Sequence, residues 1–458
     1  MPGPGGVRSS CCATGICADP SMFNTQGVER DTMQHVIIGA GPAGVVAAES
    51  IRKFDKSSTV TLVSNESERP YSRLAIPRFL QGIIAEKDTY LRCGQDYFAS
   101  QSIDVRRGCV VKVDSRNDSV NLADGTRLEY DRLLIATGCR PEKPAIPGRE
   151  LPGVVNCWTL EDARKIVCNL GINSRLIVVG GGFIGFVIID ALARTGAHID
   201  VIEKGNRILP HLMNDEASRL IQSWCDKKGI EVKTCVDIEA IERRCVTSGH
   251  AGSGSHLSVL LDNGDTLNAD MVIFTTGTKI NTKFLEGSEI AFDHGVLVDE
   301  RLNTNMPNVF AAGDACQGLG FSTGGRRVQA VQLTASEHGR IAAANMCGFK
   351  ARYSGSITMN VLDTLGLVSS SFGAWNGVEG GECVTYSLSD NYTYLNLQFD
   401  EDKLVGGSCI GNTECTQQLP RLIHAHTPLK EWKKRLMDDP CRLGEAYHAL
   451  SQADISNN

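Results

Sequence analysis

From Gln34 the chain alternates short apolar runs with amphipathic ones. HVIIG (35–39) reads as a buried strand, PAGVVAAESIRKF (42–54) as a helix and TVTLVS (59–64) as a second strand. The segment RLIVVGGGFIGFVIIDALARTGAHIDVIEKG, from Arg175 to Gly205, repeats the order strand, glycine turn, helix, strand. Between the two lie YDRLLIATGCRP (130–141), a strand ending at a glycine turn, and GVVNCWTLEDARKIVCNL (153–170), which leads into the second alternation. ADMVIFTTGTKIN (269–281) closes that unit, and NVFAAGDACQG (308–318) with the helix-like VQAVQLTASEHGRIAAANMCG (328–348) resumes the first. Strands alternating with helices predict parallel, doubly wound sheets, so the pattern gives an α/β chain with the second unit inserted into the first. Beyond Lys350 the texture changes: YTYLNLQFDEDKLVGGSCIG alternates with period two about an acidic turn, and LKEWKKRLMDDPCRLGEAYHAL has helical spacing. A third, α+β domain is predicted there.

Composition narrows the class. A chain of 458 residues is too long for one ordinary core, and 42% hydrophobic with 22% charged residues describes a globular protein. A net charge of −7 argues against a large basic surface, so nucleic acid is not an expected partner. No apolar run approaches the roughly 20 residues of a membrane helix. The first residues, MPGPGGVRSSCCATGICADPSMF, lack the apolar centre of a signal peptide, so no membrane span and a cytoplasmic address are expected. Residues 1–33 read as a mobile arm rich in Gly, Ser and Pro. The 17 cysteines are scattered through apparent strands and helices, as buried small hydrophobes rather than a disulfide framework.

Candidate chemistry sits at the two glycine turns. In Gly39-Ala40-Gly41-Pro42-Ala43-Gly44 the first Gly permits the turn, the second admits a pyrophosphate and the third allows close helix packing. The helix N-terminus adds amide donors and a positive dipole end. The second turn is Gly180-Gly181-Gly182-Phe183-Ile184-Gly185, and Glu203 ends the strand after it. A carboxylate there accepts from a ribose 2′-hydroxyl and repels a 2′-phosphate, so NADH is favoured over NADPH, with Lys204 and Arg207 close by as the opposing consideration. Glu66 is the comparable ribose ligand of the first unit, its alternative being an exposed loop acid.

The ordered set GAGPAG, ERPYSRL, LLIATG, GGGFIG, FTTGTKIN and VFAAGDAC resembles the two-dinucleotide flavoproteins of the pyridine nucleotide reductase superfamily. Within it the chain is most similar to NADH:rubredoxin and ferredoxin reductases, the flavin part of nitrite reductases and apoptosis-inducing-factor-like proteins. The resemblance implies FAD at the first turn and NAD at the second. It also implies an FAD-binding domain at 34–152 and 280–348, a Rossmann-like NAD-binding domain at 153–279 and a C-terminal interface domain at 349–458. Carried over by motif, Gly313 and Asp314 would bind the flavin's ribityl and phosphate region, Arg73 would lie against FAD, and the helix near Gln332 would point its positive end at the flavin pyrimidine. Ala136, Thr137 and Gly138 belong to a strand-end connection whose role is either cofactor contact or a plain turn, and Gly277 belongs to the matching segment of the second unit.

The implied activity is that of an NAD(P)H-dependent FAD oxidoreductase, moving electrons between NADH and a redox protein such as a rubredoxin, a ferredoxin or an iron–sulfur subunit. An NADH-sensing flavoprotein scaffold and the flavin subunit of a nitrite-reductase-like system stay open as alternatives. So do homo-oligomerisation and assembly as a complex subunit. Disulfide reductases of the superfamily carry paired cysteines that YSRLAIPRFLQG lacks, which disfavours thiol chemistry. Cys11, Cys12 and Cys17 form a weak cluster or zinc signal, and His424 with His426 read as a solvated helix end; none is entered as a metal ligand. In the resembling reductases a lysine near flavin N5 pairs with a glutamate. Arg78 and Val187 stand there in this chain, so Arg78 is left unpaired beside the flavin ring, or pairs with Asp190 one turn on as a substitute acid, or points to solvent.

Overall fold

The computed structural model describes residues 32–244, 257–320, 325–412 and 414–456. The first alternation forms β1 (Gln34–Ile38), α1 (Pro42–Phe54), β2 (Thr59–Ser64), β3 (Asp104–Arg107) and β4 (Arg132–Ile135). Val36, Ile37 and Ile38 are buried on β1, and Leu133, Leu134 and Ile135 on β4, because a parallel sheet covered on both faces needs continuous apolar runs.

The chain then leaves this sheet through an extended segment, Cys139–Pro141, and builds a second one. It consists of β5 (Val154–Asn156), α2 (Leu160–Asn169), β6 (Arg175–Val179), α3 (Phe183–Ala193), β7 (His198–Glu203), α4 (Asp215–Lys227), β8 (Glu231–Thr234) and β9 (Met271–Phe274). Its strand order is β8-β7-β6-β9-β5, every pairing parallel. Alternate residues of β6 face two different cores: Leu176 and Val178 pack with α3 and α4, whereas Ile177 and Val179 pack with the antiparallel strands Ile238–Arg243 and Leu257–Leu261.

The chain returns through Thr278–Ile280, which pairs antiparallel with Cys139–Pro141, and completes the first sheet with β10 (Val309–Ala311) beside β4. The order of the first sheet is therefore β10-β4-β1-β2-β3, interrupted in sequence by the whole second sheet. The helix α5 (Gln332–Met346) then packs on α1 so closely that a Cβ on Gly339 would lie 2.2 Å from the Ala43 carbonyl oxygen.

The C-terminal part is antiparallel: β11 (Met359–Thr364), β12 (Leu367–Gly373), β13 (Glu382–Leu388), β14 (Thr393–Asp400) and β15 (Lys403–Ile410), ordered β11-β12-β15-β14-β13. The period-two segment is the β14–β15 hairpin, in which Asp400 faces Lys403. The helical spacing after it is broken by Pro440, giving separate helices Glu431–Asp438 and Leu443–Ser456. Phe372, Leu397 and Phe399 pack under the helix α6 (Cys415–Ala425) on one face of the sheet. Leu362, Leu367, Tyr394 and Ile410 join the core of α3 and α4 on the other. The C-terminal sheet is thus anchored to the second unit, with each buried leucine or isoleucine contributing about 1.5–3 kcal/mol. No described helix is long and apolar enough to cross a membrane.

Candidate functional site

The first glycine turn has the division of labour its spacing implies. Gly39 has φ +110°, and a Cβ there would sit 2.1 Å from the Ala136 carbonyl oxygen. A Cβ on Gly44 would lie 1.9 Å from the Gly39 oxygen, so the helix can approach the strand only without a side chain. Gly41 has no atom within 4 Å of its would-be Cβ and opens onto free space. The second turn repeats this: a Cβ would meet the Thr275 oxygen at 2.8 Å from Gly180 and the Gly180 oxygen at 2.2 Å from Gly185, while Gly182 is open. Neither α1 nor α3 has a side-chain N-cap, which leaves their first-turn amides for an external acceptor. Pro42 and Ala43 begin α1, and Phe183 and Ile184, both half-buried, begin α3 against its core.

Each turn has its acid at the end of the next strand, and the two acids differ. Glu203 accepts the amides of Gly181 and Gly205, each at 2.6 Å, tying the turn to the loop after β7. A carboxylate offers about four lone-pair positions, so sites remain for a ribose hydroxyl. Glu66 instead accepts from the Tyr71 hydroxyl and from Arg73 Nη2, both at 2.5 Å. Its carboxylate holds the PYSR segment in place, and the ribose role expected of it needs that pair to share or open. Beside it, a cleft of about 640 Å³ lies off the ends of β2 and β3, lined by Ser64, Arg69, Phe98 and Arg107 among others. A second hollow, about 420 Å³ beside Gln34 and Thr59, lies at the opposite ends of β1 and β2, away from both turns.

Arg73 lies between the aromatic rings of Tyr71 and Trp158, 5.4 and 5.5 Å from their centroids. Its Nε and the indole Nε1 of Trp158 are both buried, with no hydrogen-bond partner among the described residues. Two orphaned donors on neighbouring side chains are costly unless an acceptor arrives. Asp314 is close enough to feel the Arg73 charge. Burial pushes its carboxyl above the usual range, and the Cys139 thiol donates to it at 3.7 Å. Burial likewise drives the Cys139 thiol up to about 12, keeping it protonated as a donor. Orphaned donors, an open glycine and a buried carboxylate fit a ligand that carries phosphates and hydroxyls.

The loop carrying Gly313 and Asp314 is held from behind by α5. The Gly313 amide donates to His338 Nδ1 at 3.3 Å, Cys316 Sγ is 3.3 Å from the same nitrogen, and the imidazole stacks edge-on against Tyr353 at 4.3 Å. Burial lowers the His338 pKa to about 4, so the ring is neutral and Nδ1 can accept. At the first residue of α5 the Ser72 hydroxyl donates to Gln332 Oε1 at 2.7 Å, bringing the PYSR segment to the helix N-terminus. Thr137 and Gly138 belong to the connection between sheets: Asn281 Nδ2 donates to the Thr137 oxygen at 2.9 Å, and the Asn281 amide to the Gly138 oxygen at 3.1 Å. Gly277, with φ +107°, accepts from the Glu142 amide at 3.0 Å on the paired return segment.

Sequence reasoning did not single out Tyr71, Trp158, Cys139, Asn281 or His338. Tyr71 lay inside a quoted motif, whereas His338 and Trp158 reach the site only through helix packing that local spacing does not encode. Cys11, Cys12 and Cys17 lie outside the described residues. Among the described residues no group of three or more His, Cys, Asp or Glu is arranged to hold a metal ion. His426 closes α6 with φ +48°, immediately after the turn bearing His424.

Comparison with known proteins agrees with this geometry. The family model for pyridine nucleotide-disulphide oxidoreductases matches residues 33–339. The chain is 28% identical over 415 residues to the NADH-dependent phenylglyoxylate dehydrogenase subunit epsilon of Aromatoleum evansii, covering 90% of this chain and 96% of that one. It is 31% identical to the rhodocoxin reductase of Rhodococcus erythropolis over 324 residues, 70% of this chain and 74% of the relative. Among solved structures, the covalent putidaredoxin reductase–putidaredoxin complex superposes with a TM-score of 0.82 at 23% identity, over 92% of this chain and 99% of that one, a likeness of fold. With a family match over more than half its length, resting on both glycine turns and the strands that carry them, the chain belongs to the pyridine nucleotide-disulphide oxidoreductase family.

Proposed function

We propose that the chain is an NADH-dependent FAD oxidoreductase delivering electrons to a protein partner, a rubredoxin, a ferredoxin or an iron–sulfur subunit. The observation that carries this is the pair of open, uncapped glycine turns, of which the second has its acid bonded to two backbone amides and, among the described residues, to no cation. When bound, FAD supplies the chemistry, accepting hydride from NADH and passing electrons on. The residues hold and orient. Gly39, Gly41, Pro42, Ala43 and Gly44 would cradle the FAD pyrophosphate, with Arg73, Asp314 and Gly313 along its phosphate and ribityl part and Glu66 toward its ribose. Gly180, Gly182, Phe183, Ile184 and Gly185 would do the same for NADH, with Glu203 on the adenosine ribose. Ala136, Thr137, Gly138 and Gly277 would frame the junction between them.

In this reading residues 34–152 and 280–348 form the FAD domain, 153–279 the NAD domain and 349–458 the interface domain, in a cytoplasmic protein. A relative named as a subunit and matched along nearly its whole length favours a second reading, in which the chain is the flavin subunit of a larger NADH-dependent complex. Purification without a tag, flavin release and NADH-driven reduction of rubredoxin and ferredoxin test both. Yellow protein that turns over with either acceptor supports the first, co-purifying iron–sulfur subunits support the second, and protein that binds no flavin overturns both.

A further inference from the structure

Two cations follow Glu203 in the loop where a 2′-phosphate would lie, and each is already engaged. Lys204 Nζ is 2.8 Å from Asp237 Oδ2, and Arg207 Nη1 is 2.8 Å from Asp215 Oδ1. The two pairs are not equivalent. The Lys204 side chain is 80% exposed, so its pair is well screened and holds little. Arg207 is 30% exposed, its Nε is buried with no partner among the described residues, and its Nη2 donates to the Pro210 oxygen at 3.4 Å. Its partner Asp215 is the first residue of α4, fixed behind an N-cap in which Asn214 Oδ1 accepts from the Ala217 amide at 3.0 Å. A permanently charged, planar guanidinium is the better of the two groups for reading a phosphate.

We propose that Asp215 is a determinant of the preference for NADH over NADPH, because it holds Arg207 in an ion pair and keeps it from a 2′-phosphate. The proposal rests on the reading that the second glycine turn binds NADH through Glu203. Three carboxylates, Glu203, Asp215 and Asp237, stand against two cations, Lys204 and Arg207, so the loop carries a net negative charge that a phosphate must approach. Neutralising Asp215 removes one negative charge and releases the cation with the fitting geometry.

The test is the dissociation constants of NADH and NADPH, measured by titration on the purified FAD-containing protein. In Asp215→Asn the NADH-to-NADPH preference is expected to fall about five-fold, mainly through tighter NADPH, the effect of one partly exposed ion pair. Asp237→Asn should change it by less. Arg207→Met, which leaves Asp215 unpaired and adds one net negative charge, should not loosen the preference and should weaken NADPH binding by up to about five-fold. In the double variant Asp215→Asn with Arg207→Met the gain should disappear. An unmoved preference in Asp215→Asn, a gain that persists in the double variant, or tighter NADPH binding in Arg207→Met overturns the role of Asp215. An unaltered protein that binds NADPH as tightly as NADH overturns the reading of Glu203 instead.

Discussion

Asp190 does not meet Arg78. Its carboxylate lies 3.1 Å from Arg194 Nη2 and also accepts from Gln81 Nε2 and the Leu365 amide, each at 3.1 Å. Among the described residues the Arg78 guanidinium has no hydrogen-bond or ion-pair partner, and the side chain is exposed on the short helix Ile76–Leu80. The substitute acid weighed from the sequence is therefore committed to joining α3 to the C-terminal sheet.

A solvent-screened cation has little hold on a flavin. Arg78→Leu is expected to lower the flavin midpoint potential only slightly, since a charge about 8 Å away in water contributes about 0.5 kcal/mol. Val187 is half-buried against the second-unit core, so Val187→Glu should lower the potential more. Spectroelectrochemical titration of both variants checks this, and a larger shift from Arg78→Leu would mean that the guanidinium turns inward when FAD is present.

In the proposed reading Glu203 has two jobs, holding two amides and a ribose, that one substitution should expose together. Glu203→Ala removes the acceptor of two amides, at about 1–3 kcal/mol for a donor left unpaired, and removes the ribose acceptor as well. The variant is expected to melt earlier and to lose preference for NADH by about ten-fold or more. Glu203→Gln, which keeps one acceptor oxygen, should recover part of the stability. Thermal melts alongside NADH and NADPH titrations separate the two effects.

Asp314→Ala should purify with less FAD than the unaltered protein, because a buried carboxylate bonded to flavin hydroxyls supplies roughly 1.5–3 kcal/mol per bond. Asp314→Asn should retain more flavin than Asp314→Ala. The ratio of flavin to protein absorbance reads this directly, and fully yellow Asp314→Ala protein would remove the residue from the FAD site.

Two buried histidines set an acid limit. Burial lowers both His338 and His35 from 6.5 to about 4, with Asp55 the largest opposing influence on His35. Below pH 6.5 the unfolded chain binds protons that the folded one refuses, so stability falls as the pH drops toward 4, by roughly 3 kcal/mol per histidine. Above pH 6.5 this contribution is complete and flat. Denaturant titrations at pH 7 and pH 5 measure the slope, and His338→Gln, which keeps an acceptor for the Gly313 amide, should flatten it.

Much of this architecture was legible in the chain because it is encoded locally. The runs at Val36–Ile38 and Leu176–Val179, the glycines that no side chain could replace and the acid at Glu203 are all set by residues close in sequence. What lay beyond reach depended on meetings between distant segments. Glu66 reads from the sequence as a ribose acid and nothing more, with no hint of its pairing to Arg73 at 2.5 Å, and Asp190 reads as a partner for Arg78 until α3 is seen against Leu365. The break at Pro440 is the converse, a local signal overlooked within a helical period.

The antiparallel pairing of Cys139–Pro141 with Thr278–Ile280 bears on how the chain folds. Because the second unit enters and leaves side by side, its two ends are already together, and holding them there adds little loop-closure entropy once that unit has folded. The sheet it interrupts is in the opposite position: β4 cannot gain its neighbour β10 until the whole insertion has been synthesised and its ends brought together. A nascent chain emerging at about 5–20 residues per second therefore exposes one edge of β4 for many seconds. An insertion that folds before the first sheet closes would act as the clamp that presents β10 to that waiting edge.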